Sequence, residues 1–165
     1  MATDAQRGQH IVDPVLFQQT LLQRTIWKVQ QQIVRSVIDN PLTAVKGCHA
    51  SGKTYVASGI PLHWITRFKK SLAFNIAPTH RQVIAFWQEI RLARDGAIDI
   101  LKKALPEPNQ LSLQISDERQ AIGASSSRGV NIQGRHSENV LIIVDEAPGV
   151  QADIFDAIHG IRAGG

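Results

Sequence analysis

Between Gly47 and Thr54 the chain reads Gly47-Cys48-His49-Ala50-Ser51-Gly52-Lys53-Thr54, which is G-x-x-x-x-G-K-[ST] without a mismatch. Residues of these types at this spacing suit the binding of a polyphosphate. Two glycines let the backbone curl so that successive N–H groups point inward, Lys53 brings a charge to the β- and γ-phosphates, and the Thr54 hydroxyl can ligate Mg²⁺. A second reactive pair, Asp145-Glu146, follows the apolar run Val140-Leu141-Ile142-Ile143-Val144. A carboxylate at the end of a buried strand suits a magnesium ion beside phosphates, and Asp145 fits that place, near the ion that Thr54 can ligate. A carboxylate one residue further on can orient and deprotonate an attacking water, the role expected of Glu146.

These side chains need a scaffold of strand, loop and helix. The apolar stretch Leu42-Thr43-Ala44-Val45 reads as the strand that feeds the loop through Lys46. After the loop, Tyr55, Ile60, Leu62, Ile65 and Phe68 recur at helical spacing, with Pro61 a possible kink. Upstream, residues 1–12 lack periodicity and read as a mobile tail. Asp13-Pro14 reads as a helix start, an N-cap with proline at the first helical position. A second helical pattern from about Thr25 puts Trp27, Gln30, Ile33, Val34, Val37 and Ile38 on one face and ends at Asn40-Pro41. Downstream, residues 71–77 read as a buried strand ending at Pro78. Thr79 is placed to cap a helix carrying Val83, Phe86, Trp87 and Ile90. Leu111, Leu113 and Ile115 alternate with polar residues in an exposed strand, which Gln120 to Ala124 can pair across a turn at Asp117-Glu118. The run 140–144 has the unbroken apolar character of a central parallel strand covered on both faces. A helix is expected over Asp153 to Ile161.

With 165 residues, 43% hydrophobic and 19% charged, the chain has the size and apolar content of one globular domain with a real core. It contains no run of 18 apolar residues, and its first ten residues have no apolar signal core, so neither a membrane span nor secretion is indicated. Cys48 is the single cysteine, which excludes an internal disulfide. A net charge of +4 suits a polyanion-binding surface without specifying one.

In this order, the motifs resemble the ATPase domain of the large terminase subunit of tailed phages and prophages, the motor that packages DNA into a capsid. The resemblance spans Thr25 to Ile161. Trp27-Lys28-Val29-Gln30 is similar to the family's W-x-x-Q segment, in which the glutamine reads adenine. Residues 45–54 are similar to its phosphate loop, and Ala77-Pro78-Thr79-His80-Arg81-Gln82-Val83 to its A-P-T-x-x-Q-V. Gly134-Arg135-His136, Asp145-Glu146-Ala147 and Gly149-Val150 match in their turn. The resemblance implies a P-loop NTPase of the RecA-like, catalytic-glutamate class: an α/β domain over residues 13–165, three-layered αβα with a mostly parallel central sheet. ATP and Mg²⁺ are the implied ligand and ion. Residues 47–54 would form the cradle, with Trp27 and Gln30 at the base.

Double-stranded DNA, a small terminase subunit, the capsid portal and a ring of identical subunits are the implied partners, in the cytoplasm of a bacterial host. Such a motor also needs an arginine to offset transition-state charge, and Arg119, Arg128 and Arg135 are candidates. In nucleotidases of this class a further strand separates the loop strand from the acidic strand, by analogy of fold. Only about twenty residues follow Glu146, so the expected domain is incomplete: it lacks that middle strand, the coupling motif and the nuclease domain. Two other readings fit the same residues. One is a superfamily 2 helicase or translocase, which shares the glutamine, the loop and Asp-Glu-Ala; the other is a truncated, non-catalytic prophage remnant.

Overall fold

The computed structural model describes residues 4–48, 50–126 and 136–163. Helices α1 (Asp4–Val12) and α2 (Pro14–Leu16) lead through a π-helical turn, Phe17–Leu21, to α3 (Lys28–Asp39) and α4 (Lys53–Arg67). Strand β1 (Ser71–Ala77) follows, then α5 (His80–Asp95) and α6 (Asp99–Ala104). The hairpin β2 (Ser112–Ser116) and β3 (Arg119–Ser125) precedes β4 (Asn139–Val144), a short 3₁₀ turn at Ala147–Gly149 and α7 (Ala152–Ala163). Among the described residues the sheet has four strands in the order β2-β3-β1-β4. β1 runs parallel to both β3 and β4, and β2 is antiparallel to β3.

β1 is the axis of the domain, with all seven residues buried. Its side chains alternate between two cores, as a strand's period of two requires. Ala73 and Ala77 face the larger core with Ile60, Val83, Phe86 and Trp87, supplied by α4 and α5. Leu72, Phe74 and Ile76 face the smaller one, closed by Val150 after the 3₁₀ turn and Ile154 at the start of α7. Helices therefore lie on both faces of an open mixed sheet, an arrangement compatible with a three-layer αβα fold.

Local chemistry explains where the elements begin. Asp13 Oδ1 accepts from the amides of Val15 and Leu16 at 2.8 and 3.1 Å, the expected cap ahead of Pro14. Thr79 and Gln82 form a capping box on α5: the Gln82 amide donates to Thr79 Oγ1 at 3.3 Å and the Thr79 amide to Gln82 Oε1 at 3.0 Å. The T-x-x-Q of the A-P-T-x-x-Q-V segment thus has a structural use as a helix start. The expected hairpin forms with its turn at Asp117-Glu118.

Three expectations are corrected. The first is the tail: residues 4–12 form α1, and Ile11 O pairs with the buried imidazole of His63 in α4 at 2.9 Å. Burial, reinforced by the nearby Arg67, lowers the His63 pKa to about 4, so a neutral ring holds α1 in place. The second is the strand at 42–45, which pairs with nothing among the described residues. It has no regular secondary structure, with Leu42 74% and Val45 43% exposed. β branching and apolarity favour a strand only where a neighbour offers a ladder, and here no neighbour does. The third is the central position given to 140–144. β4 hydrogen-bonds to β1 alone among the described strands, and most of its residues are half-buried. An apolar run reports cover on the two faces and says nothing of the lateral place in the sheet. Lys46 and Val144 are accordingly not the ends of hydrogen-bonded neighbouring strands.

One glycine is required by packing. A Cβ at Gly123 would lie 2.2 Å from Trp87 Nε1 and 2.7 Å from Val83 Cγ1. Trp87 is wholly buried and has no room to retreat. Gly123→Ala is expected to destabilise the fold by about 1–3 kcal/mol through overpacking; a melting temperature equal to wild type would contradict that contact.

Candidate functional site

The phosphate-loop sequence sits at the N-terminus of α4, a 15-residue helix beginning at Lys53. Its amide dipoles favour an anion at that end. Ala50 and Gly52 adopt left-handed conformations, with φ of 58° and 74°. Alternation of this kind turns backbone N–H groups toward one side and builds an anion-binding concavity. Glycine serves at position 52 for a second reason, since a Cβ there would lie 2.6 Å from Gln30 Nε2. Ala50 adopts a conformation that costs a non-glycine residue roughly 1–2 kcal/mol, strain of the kind found at ligand clamps.

Lys53 folds back over the loop. Its Nζ donates to Gly47 O at 2.9 Å and Cys48 O at 2.6 Å, with Ser51 Oγ at 3.4 Å. Ser51 Oγ in turn donates to Cys48 O at 2.8 Å. The ammonium thus spans the loop's own carbonyls, from which an anion seated on the loop would draw it. Cys48 is an exposed free thiol. Thr54 is half-buried in the first turn of α4, and His49 lies outside the described residues.

Gln30 joins the loop as a neighbour. It is 5% exposed; its Nε2 donates to Gly52 O at 3.3 Å, while its Oε1 accepts from the Trp27 amide at 3.2 Å. The W-x-x-Q segment is therefore the start of α3, with Gln30 bridging it to the phosphate loop. Trp27 does not share the helix face expected of it. It precedes the helix in extended conformation and is 56% exposed. A large aromatic left in solvent beside the loop is available to a ligand's ring.

The acidic pair stands at the carboxyl end of β4, where the Asp145 amide extends the ladder by donating to Ile76 O at 2.8 Å. Glu146 is exposed and left-handed, φ 52° and ψ 49°, and opens the 3₁₀ turn. A Cβ at Gly149 would lie 2.7 Å from Pro78 Cγ, so the segment after the acids is seated directly on the Ala77-Pro78-Thr79 corner. Among the described residues, no hydrogen bond or ion pair joins Lys53 or Thr54 to Asp145 or Glu146, but the two halves share a field. Burial raises the Asp145 pKa, the Glu146 charge adds to the rise, and the Glu146 backbone amide and Lys53 oppose it.

The sign of that shift makes a prediction. A carboxyl whose folded pKa lies above its unfolded value contributes stability that is present at low pH and lost as pH rises through the folded pKa. Asp145→Asn is therefore expected to melt at or above the wild-type temperature at neutral pH, the gap closing below about pH 4. A clearly lower melting temperature at pH 7 would overturn this account of Asp145.

Arg128 and Arg135 lie outside the described residues; Arg119 begins β3, at the end of the sheet away from the acidic pair. At that far end a cleft of about 290 Å³ opens among Lys70, Leu72, Glu118, Gln120 and His136. Its mixed charges and distance from the phosphate loop set it apart from the site. One residue that shapes the loop's surroundings was missed from sequence, Arg24. No signal in the residues marks it: Leu22, Arg24 and Ile26 are buried while Gln23, Thr25 and Trp27 are exposed, but that alternation is a fact of the fold.

No helix among the described residues is long and apolar enough to cross a membrane. No protein-family model matches the chain, and no curated protein matches it at a significant level.

Proposed function

We propose that this chain is the ATP-binding motor domain of a DNA-packaging terminase large subunit, whose parent protein hydrolyses Mg·ATP to move double-stranded DNA. The observation that carries the reading is the phosphate loop. Left-handed turns at Ala50 and Gly52, a lysine held on loop carbonyls, and a long helix starting at that lysine together suit a triphosphate. The placing of Gln30 against Gly52 and of Asp145 in the Lys53 field supports it.

In this reading Lys53 leaves the carbonyls of Gly47 and Cys48 for the β- and γ-phosphates. Thr54 would hold Mg²⁺ by its hydroxyl, and Asp145 would hold it through a water. The ion would supply charge neutralisation of the triphosphate. Glu146, exposed and free of the ladder, takes a proton from the attacking water. Trp27 and Gln30 receive the base. An arginine at 128 or 135, or one from a neighbouring subunit, offsets the charge that develops on transfer.

The test is ATP turnover by the parent protein with and without double-stranded DNA. Stimulation by DNA is expected. Turnover indifferent to DNA would reject the motor assignment while leaving the nucleotide site standing.

A further inference from the structure

Arg24 is 7% exposed, and its guanidinium joins two helices. Nη1 donates to Tyr55 O and, at 2.9 Å, to Ser58 Oγ, both in α4. Nη2 donates to Glu89 O in α5 at 3.2 Å and lies 3.6 Å from Glu89 Oε2. The guanidinium carbon stands 4.3 Å from the Tyr55 ring centroid. A buried guanidinium is costly unless its donors are met, and an apolar side chain would fill the same space at less cost. What the arginine adds is its fork, which reaches two helices at once. Tyr55 follows Lys53 and Thr54 directly, so the fork grips α4 in the turn that carries the ligand-facing residues. Six residues later the same segment touches the loop again, through Gln30 Nε2 on Gly52 O at 3.3 Å.

We propose that Arg24 is a positioning residue for the phosphate loop, holding the first turn of α4 against α5 so that Lys53 and Thr54 are set for the triphosphate. The inference rests on the reading of that loop as a nucleotide site. Arg24 touches no ligand and acts through Tyr55, Ser58 and Glu89.

Three variants of the full chain test it: Arg24→Lys, Arg24→Met and Glu89→Gln. Each is examined for Mg·ATP affinity by calorimetry, for amide hydrogen exchange along α4 and β1, and for melting temperature. Lysine keeps the charge but loses the fork, so Arg24→Lys is expected to weaken ATP binding by about tenfold. Exchange should quicken at residues 52–58 while β1 stays protected. Glu89→Gln, which retains the carbonyl contact, should do less. Should Arg24→Met fail to fold, the two conservative variants decide. Wild-type affinity and wild-type α4 protection in folded Arg24→Lys would overturn the proposal, as would exchange that quickens equally in β1, the mark of a general structural role. A wild-type chain that binds no Mg·ATP overturns the nucleotide reading and this role with it, an outcome visible without any variant.

Discussion

Lys53→Ala is expected to weaken Mg·ATP binding by about ten- to hundredfold while leaving the fold intact. The ammonium rests on the carbonyls of Gly47 and Cys48, on a half-buried residue. Losing such bonds at a half-exposed site changes stability little. A triphosphate, by contrast, loses a charge-assisted contact worth about 1.5–3 kcal/mol, a ten- to hundredfold change in affinity. Turnover in the parent protein should fall further, because in the proposed mechanism the lysine would also meet charge that grows in the transition state. The variant removes the Lys53 field from Asp145 as well, so the Asp145 pKa should rise further. Retained ATP turnover in Lys53→Ala would sink the assignment of the loop.

The second large effect is kinetic. Glu146→Gln keeps the size of the side chain but cannot accept a proton, so ATP binding should persist while hydrolysis in the parent protein drops by about 10²–10⁴-fold. The backbone at Glu146 is left-handed and exposed, where a glutamine is accommodated as readily as the acid. The variant should therefore melt like wild type. Loss of nucleotide binding in Glu146→Gln would mean that the residue shapes the 3₁₀ turn at Ala147–Gly149 instead of serving water activation.

Much of the frame could be read from the residues because the signals were local. Proline after Asp13 fixed a helix start, Thr79 and Gln82 fixed another, and the alternation around Leu113 fixed the hairpin strand. β1 was legible because every residue in it is buried, so its apolar character is nearly continuous. The errors came where structure depends on a neighbour. Leu42 to Val45 has the composition of a strand, yet a strand exists only as part of a ladder, and composition does not reveal the partner. The edge position of β4 was hidden for the same reason. Trp27 looked like part of a helix face because its spacing to Gln30 is helical, whereas the capping hydrogen bond from its amide to Gln30 Oε1 places it just outside.

Within the site, the loop and the acidic pair were legible as motifs, and the seating of the acidic pair on β1 was not. The parallel pairing of β1 with β4 sets Asp145 beside Ile76, and the contact of Gly149 with Pro78 joins two segments some seventy residues apart. Arg24 illustrates the converse. An arginine among apolar residues reads as surface charge, and only the convergence of Tyr55, Ser58 and Glu89 reveals a buried fork.

The central claim is that residues 47–54 form a nucleotide cradle, and calorimetric titration of the chain with Mg·ATP tests it most directly. The account predicts saturable binding of one nucleotide per chain, weakened by removal of Mg²⁺ and by about ten- to hundredfold in Lys53→Ala. Absence of binding by the folded wild type, or binding that Lys53→Ala leaves unchanged, would contradict it.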